Sequence, residues 1–173
     1  MPTDPPRVEA IHVAKARRLP TRSVPAVEAE AGRGLVGDRY HGTRHRHVTI
    51  QALDHLEAAA RDLGRPVDPG ATRRNLTISH GPVPTRPGTP VRIGDVELEV
   101  VRRSAPCRLL DDEMGAGAAR AMHDRGGTVA RLLGSGTIRV GDVVTIGEPP
   151  PSPTPAPTRP PTRPPTHAQP ETP

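Results

Sequence analysis

The sequence predicts a mainly β domain of the α+β class, built as a small closed or half-closed barrel with a few peripheral helices. Three observations carry that reading. First, two similar segments, Gly88 to Val96 and Gly136 to Val143, each read as strand, Gly-Asp turn, strand. Glycine at the first central position fits a type II′ hairpin. Second, Val96, Leu98 and Val100 alternate with polar residues and give one clean apolar face. Third, the chain has no Phe or Trp and one Tyr, so its core has to come from Val, Leu, Ile and Ala. Two hairpins around one domain favour a barrel, which also disposes of exposed sheet edges.

The other elements follow in order. Val8 to Ala14 reads as a buried strand and Pro20 to Pro25 as a loop. A second strand is expected over Val27 to Ala31. Gly34-Leu35-Val36-Gly37-Asp38-Arg39-Tyr40-His41-Gly42 has too much glycine for a helix and lets backbone approach a ligand closely. It ends in no Gly-Lys-Ser/Thr, so it is not a Walker A loop. His41, His45 and His47 follow, interleaved with Arg44 and Arg46. The arginines would repel a cation and the spacing matches no standard zinc pattern, so an anion-facing loop is the better expectation. After a short strand at Val48 to Ile50, Ala52 to Leu63 forms a helix with Leu53, Leu56, Ala60 and Leu63 on one face, stopped by Gly64 and Pro66. Arg73 to Ser79 is the next strand. Its parity puts Leu76 and Ile78 on the core face and Arg73, Asn75 and Thr77 on the other. That second face offers donors suited to a phosphate or polar heterocycle, while Arg74 points with Leu76, away from it. Gly115 to Asp124 is a weak Ala-rich helix, and Arg125-Gly126-Gly127 turns into a strand.

Composition bounds the function. Residues 149–173 hold 12 prolines. The expected organisation is therefore a flexible lead-in over 1–7, one domain over 8–147 and a disordered proline-rich tail over 148–173. The tail is charge-balanced, so the net +5 falls on the rest of the chain. That excess suits an anionic small ligand. Nucleic-acid binding is not expected, because stacking aromatics are missing. No apolar run approaches the ~18 residues of a membrane span. The first residues lack signal-peptide features, so a cytoplasmic protein is expected.

Cys107 is the only cysteine. It can form neither an intrachain disulfide nor a CxxC metal site. Pro106 places it at a rigid kink, and Arg102, Arg103 and Arg108 surround it with positive charge, a setting suited to a thiolate. A thiolate is a nucleophile, a sulfur carrier or a ligand for a soft metal. A small buried hydrophobe is the alternative for a free cysteine.

Six spaced features together resemble the MOSC domain, named for the C-terminal domain of molybdenum cofactor sulfurase. They are Gly34 to Arg39, Arg73-Arg74-Asn75-Leu76-Thr77, Gly88 to Val96, Ala105-Pro106-Cys107-Arg108-Leu109, Arg125-Gly126-Gly127 and Gly136 to Val143. The resemblance runs over nearly all of residues 8–147. It implies a barrel-like domain and a cysteine, here Cys107, that carries sulfane sulfur or ligates molybdenum. It implies an Arg-x-Asn element, here Arg73 and Asn75, holding the anionic pterin of the molybdenum cofactor (molybdopterin), with Arg39 and His41 near the site. Pyridoxal phosphate is not expected, since the only lysine, Lys15, is not in a Schiff-base setting.

The expected activity is that of a molybdenum-dependent oxidoreductase of the type that reduces N-hydroxylated compounds, acting on a small-molecule substrate. Electrons would come from a separate flavin or iron–sulfur partner, because one cysteine cannot hold a cluster. The alternative is a sulfur carrier that passes sulfane sulfur from a Cys107 persulfide, supplied by a desulfurase, to a metal cofactor. A third reading is a non-catalytic module whose proline-rich tail binds a partner.

Overall fold

The structure, a computed structural model, describes residues 4–151. The disordered-tail expectation lies outside the described residues from 152 onward. Eleven strands and three helices occur among the described residues. Eight strands form one curled sheet in the order β11 (Val144–Ile146), β7 (Pro90–Ile93), β8 (Val96–Arg103), β9 (Thr128–Leu132), β5 (Val48–Ala52), β6 (Leu76–Ile78), β1 (Val8–Val13) and β2 (Arg22–Val24). A second sheet has the order β10 (Gly136–Arg139), β3 (Ala26–Glu30), β4 (Gly34–Leu35).

Alternation decides which side chains line the interior. Val48, Ile50 and Ala52 of β5, Leu76 and Ile78 of β6, and Val96, Leu98 and Val100 of β8 all enter one apolar core. No aromatic ring is needed to fill it. The curl brings distant parts of the sheet together. Val8 N–H donates to Asp142 O at 2.9 Å, Gly141 N–H donates to Val8 O at 2.7 Å, and Arg7 bridges Val143. The start of β1 is thereby joined to the segment that enters β11, and the sheet makes a half-barrel. Residues 6 and 7, expected in a flexible lead-in, take part in this seam, for Pro6 O accepts from Val144 N–H at 2.8 Å. Pro25 lacks an N–H and separates β2 from β3, so the ribbon passes from the large sheet to the small one there.

The two Gly-Asp segments have different roles. Gly94-Asp95 joins β7 to β8 with Ile93 paired to Val96, a two-residue hairpin with Gly94 at φ 56°. Gly141-Asp142 is no hairpin. β10 pairs with β3 and β11 pairs with β7, so this turn carries the chain between sheets. Asp142 Oδ2 accepts from Arg139 N–H at 2.8 Å and fixes the turn. The expected loop at Pro20 to Pro25 also contains β2.

β5 and β6 are parallel and are linked through α1 (Leu53–Leu63), as a parallel pair requires. Gly64 ends α1 in the left-handed conformation at φ 66°. Leu56 and Ala59 of α1 pack with Leu110 of α2 (Leu109–Met114) and with Ala118 and Ala121 of α3 (Ala118–Ala121) in a second, smaller core. The Ala-rich helix is thus shorter than expected. α2, immediately after Cys107, was not anticipated, because its six residues show too little periodicity to be read.

Gly126 and Gly127 fit this small core to the barrel. A Cβ on Gly126 would lie 2.2 Å from Ser104 O, and one on Gly127 1.9 Å from Ile50 O. Only a residue without a side chain lets these backbones come so close.

Candidate functional site

Cys107 stands in the loop between β8 and α2 and is exposed. It forms part of the wall of a small cavity of about 100 Å³, together with Arg17, Arg39, Tyr40, Arg46, Arg73 and Arg74. Thr72, Leu109 and Leu110 complete the lining. Four separate segments converge here: the loop after β1, the loop after β4, the turn before β6 and the cysteine loop leading into α2.

The glycine-rich loop delivers Arg39, Tyr40 and Arg46. Asp38 anchors it: Oδ1 accepts from Ala14 N–H at 3.1 Å, and Oδ2 accepts from Tyr40 N–H at 3.1 Å. Arg39 pairs with Asp38 Oδ1 at 3.1 Å and donates through Nη2 to Arg73 O at 2.7 Å. Tyr40, the sole aromatic residue, carries Arg39 on its ring at 4.6 Å and Arg46 at 4.0 Å. The Nε of Arg46 is buried with no hydrogen-bond partner among the described residues. Burial pushes Arg46 below its ordinary pKa, with Arg39 and Arg102 adding to the effect and Tyr40 and Asp38 opposing it.

Arg73 and Arg74 enter from the turn before β6. Arg73 has φ 61°, a left-handed conformation uncommon outside glycine. It donates to Arg17 O at 2.7 Å and meets Glu113 only at 3.4 Å. Arg74 is 5 % exposed. It donates from Nε to Gly126 O at 3.0 Å, and at 3.4 Å to Thr72 O and Ala105 O. Burial, helped by Arg46, pulls Arg74 down to about 10, and Cys107 acts on it in the opposite sense. It therefore stays charged at neutral pH, held by carbonyl dipoles rather than by a carboxylate.

The cavity thus gathers five guanidinium groups. The ion pairs offset two of them, one with Asp38 and a long one with Glu113. A thiol bordering such a surplus of positive charge can hold a soft metal or sulfur, while the arginines hold an oxyanion.

Of the residues singled out from sequence, Cys107, Arg73 and Arg39 come together in this cavity. Asn75 and His41 do not line it. Asn75 is buried behind β6, where its Oδ1 accepts from Thr49 N–H at 3.1 Å and Thr49 Oγ1 at 3.0 Å, and its Nδ2 donates to His12 O at 3.1 Å. His41 bonds Glu30 at 2.9 Å. The charge around Cys107 also has another source than its sequence neighbours. Arg103 pairs with Asp124, and neither it nor Arg102 lines the cavity. Arg17, Tyr40, Arg46 and Arg74 were missed. For Tyr40 a signal existed, since a lone aromatic beside arginines has to be placed somewhere.

The fold and the site together define a half-barrel with one exposed thiol beside a cluster of arginines. Residues 37–145 match the family model of the MOSC domain, which is more than half of the chain, and the chain belongs to that family. The fold is similar to that of the YuaD protein from Bacillus subtilis, with a TM-score of 0.72 and 16% identity, covering 83% of this chain and 96% of that one. It is also similar to YiiM from Geobacillus stearothermophilus, with a TM-score of 0.68 and 19% identity over 83% and 76% of the two chains. For YiiM from Escherichia coli the TM-score is 0.61 and the identity 18%, over 82% and 70%. No curated protein matches the chain. Among the described residues no helix is long and apolar enough to cross a membrane.

Proposed function

We propose that this chain binds the molybdenum cofactor, with Cys107 as thiolate ligand to the metal and the arginines of the cavity compensating the anionic pterin. The observation that carries the reading is one exposed thiol on the wall of a cavity with five guanidiniums and two carboxylates in ion pairs with them. The donor set fits the group, with a soft sulfur for a soft metal and planar guanidinium forks for phosphate oxygens. The cavity of about 100 Å³ would take the charged part of such a cofactor against its arginines. When bound, the cofactor supplies two-electron redox chemistry at the metal. Arg39, Arg46 and Arg73 would orient and neutralise the anion, and Leu109 and Leu110 give the wall beside the thiol its apolar part. The corresponding activity is reduction of a small N-hydroxylated compound, with electrons from a separate flavin or iron–sulfur partner.

The test is the molybdenum and pterin content of full-length wild type and Cys107→Ser, both made in a host that assembles the cofactor. Wild type retains both, and Cys107→Ser loses the metal. Equal content in the two removes cysteine ligation.

A second reading is favoured by the exposure of Cys107 and the small size of the cavity. Cys107 then carries sulfane sulfur as a persulfide and delivers it to a metal cofactor, for an exposed sulfur is one a partner can reach. A persulfide on protein that holds no molybdenum supports it.

A further inference from the structure

The carrier reading leaves the chemistry of the sulfur donor open, and the cavity restricts it. A cavity of about 100 Å³ has room for a small oxyanion beside the thiol. The walls are cationic, and the buried Nε of Arg46 lacks an acceptor. A simple alkyl persulfide would leave the guanidiniums that stand in no ion pair without oxygen partners. A donor that ends in sulfonate oxygens supplies them. Cys107 shares the wall and is exposed, so sulfur received there remains open to a second molecule.

We infer that the cavity binds a thiosulfate or thiosulfonate, and that Cys107 takes the outer sulfur from it. This inference rests on the carrier reading above. The Cys107 thiolate attacks the outer, sulfane sulfur of the donor. The donor's S–S bond breaks, a new S–S bond forms on Cys107 as a persulfide, and sulfite (or sulfinate, from a thiosulfonate) leaves with the bonding pair. Charge balances, and no outside oxidant or reductant enters, because the sulfur moves at constant oxidation state. Negative charge builds on the departing oxygens as the bond lengthens, which is where fixed guanidinium donors act most strongly. Arg46 is one of them, and unlike Arg39 and Arg73 it stands in no ion pair among the described residues.

The experiment uses the full chain, reduced and freed of small thiols, with thiosulfate as probe. The expected result is a gain of one sulfur in intact mass, mapped to Cys107, with an equal amount of sulfite released. Cys107→Ser gains none. Arg46→Gln slows loading about 10- to 100-fold at an unchanged melting temperature, the loss expected for a hydrogen bond to a charged group. Sulfate, which fills the same oxyanion position, competes. If thiosulfate leaves the mass unchanged while polysulfide loads Cys107, the inference falls and the carrier reading stands. If polysulfide also fails, both fall. Loading that neither Arg46→Gln nor sulfate slows overturns the role of the cavity.

Discussion

Asn75 and Arg74 are neighbours in sequence and both are buried, yet their polar atoms are used in different ways. Asn75 is saturated by protein. Its amide meets Thr49 and His12, and beside it Gln51 Nε2 donates to Thr77 Oγ1 at 3.0 Å, while Gln51 Oε1 has no partner among the described residues. Arg74 is bonded only to carbonyls, two of them at 3.4 Å, and lies among other guanidiniums. A buried amide with matched partners is spent on the fold. A group of cations without enough carboxylates leaves donors free for an anion. The sheet keeps these two polar sets apart by giving one to β5 and β6 and the other to the turns around them.

The largest expected effect breaks the saturated set. Asn75→Leu leaves Thr49 N–H and His12 O buried without partners, at a cost of about 3 kcal/mol or more. That corresponds to a melting temperature lower by roughly 6–12 °C in calorimetry. A drop within about 0.5 kcal/mol would mean that water replaces the amide and that this set is not closed. The next effect concerns the arginine set and has the opposite sign. Sulfate at a hundred times its dissociation constant stabilises by about 2.7 kcal/mol, raising the melting temperature by roughly 5–10 °C. Sodium chloride at equal ionic strength is the control, because general screening acts on exposed charges alike. A sulfate effect no larger than the control's would mean that the guanidiniums are balanced already. A smaller effect separates the roles within the cavity. Arg46→Gln without sulfate changes stability by no more than about 0.5 kcal/mol but removes most of the sulfate effect. Cys107→Ser leaves that effect intact.

The sequence made the barrel legible because alternation and the Gly94-Asp95 turn are local signals. Gly141-Asp142 shows the limit of such signals. The same residues turn the chain between two sheets, and what decides that is pairing with β3 and β7 far away in sequence. Arg73 and Arg74 show it again. Strand parity assumes extended backbone, but Arg73 is left-handed and β6 begins only at Leu76, so Arg74 reaches the cavity against its parity. Arg73, Arg39 and Cys107 could be named through the family resemblance. Arg17, Tyr40 and Arg46 could not, for their place is set by convergence of segments that are far apart in sequence.

The smallest effect asks how the loop that bears Arg39, Tyr40 and Arg46 is held. His47 is fully buried. Leu132 N–H donates to its Nδ1 at 2.9 Å, and its Nε2 donates to Thr43 O at 3.0 Å. Only the neutral ring protonated on Nε2 makes both bonds. Thr43 Oγ1 in turn lies 2.8 Å from the carbonyls of both Tyr40 and Arg46, and its one proton goes to one of them or is shared between them. Burial lowers the pKa of His47; the Thr43 bond opposes this, and Arg131 and His45 add to it. The unfolded chain therefore takes up a proton that the folded one refuses. The stability His47 contributes is present above its ordinary value of 6.5 and is lost as the pH falls through that value toward the lower one of the folded state. His12, also lowered by burial, acts in the same direction. His47→Gln keeps a donor for Thr43 O but does not titrate. Its melting temperature should fall less than that of wild type between about pH 7 and about pH 5, with His12 contributing to the slope that remains. The sulfate effect should follow the same pattern, weakening with acid in wild type and less in His47→Gln. Equal slopes in the two proteins would mean that this histidine does not tie the arginine loop to β9.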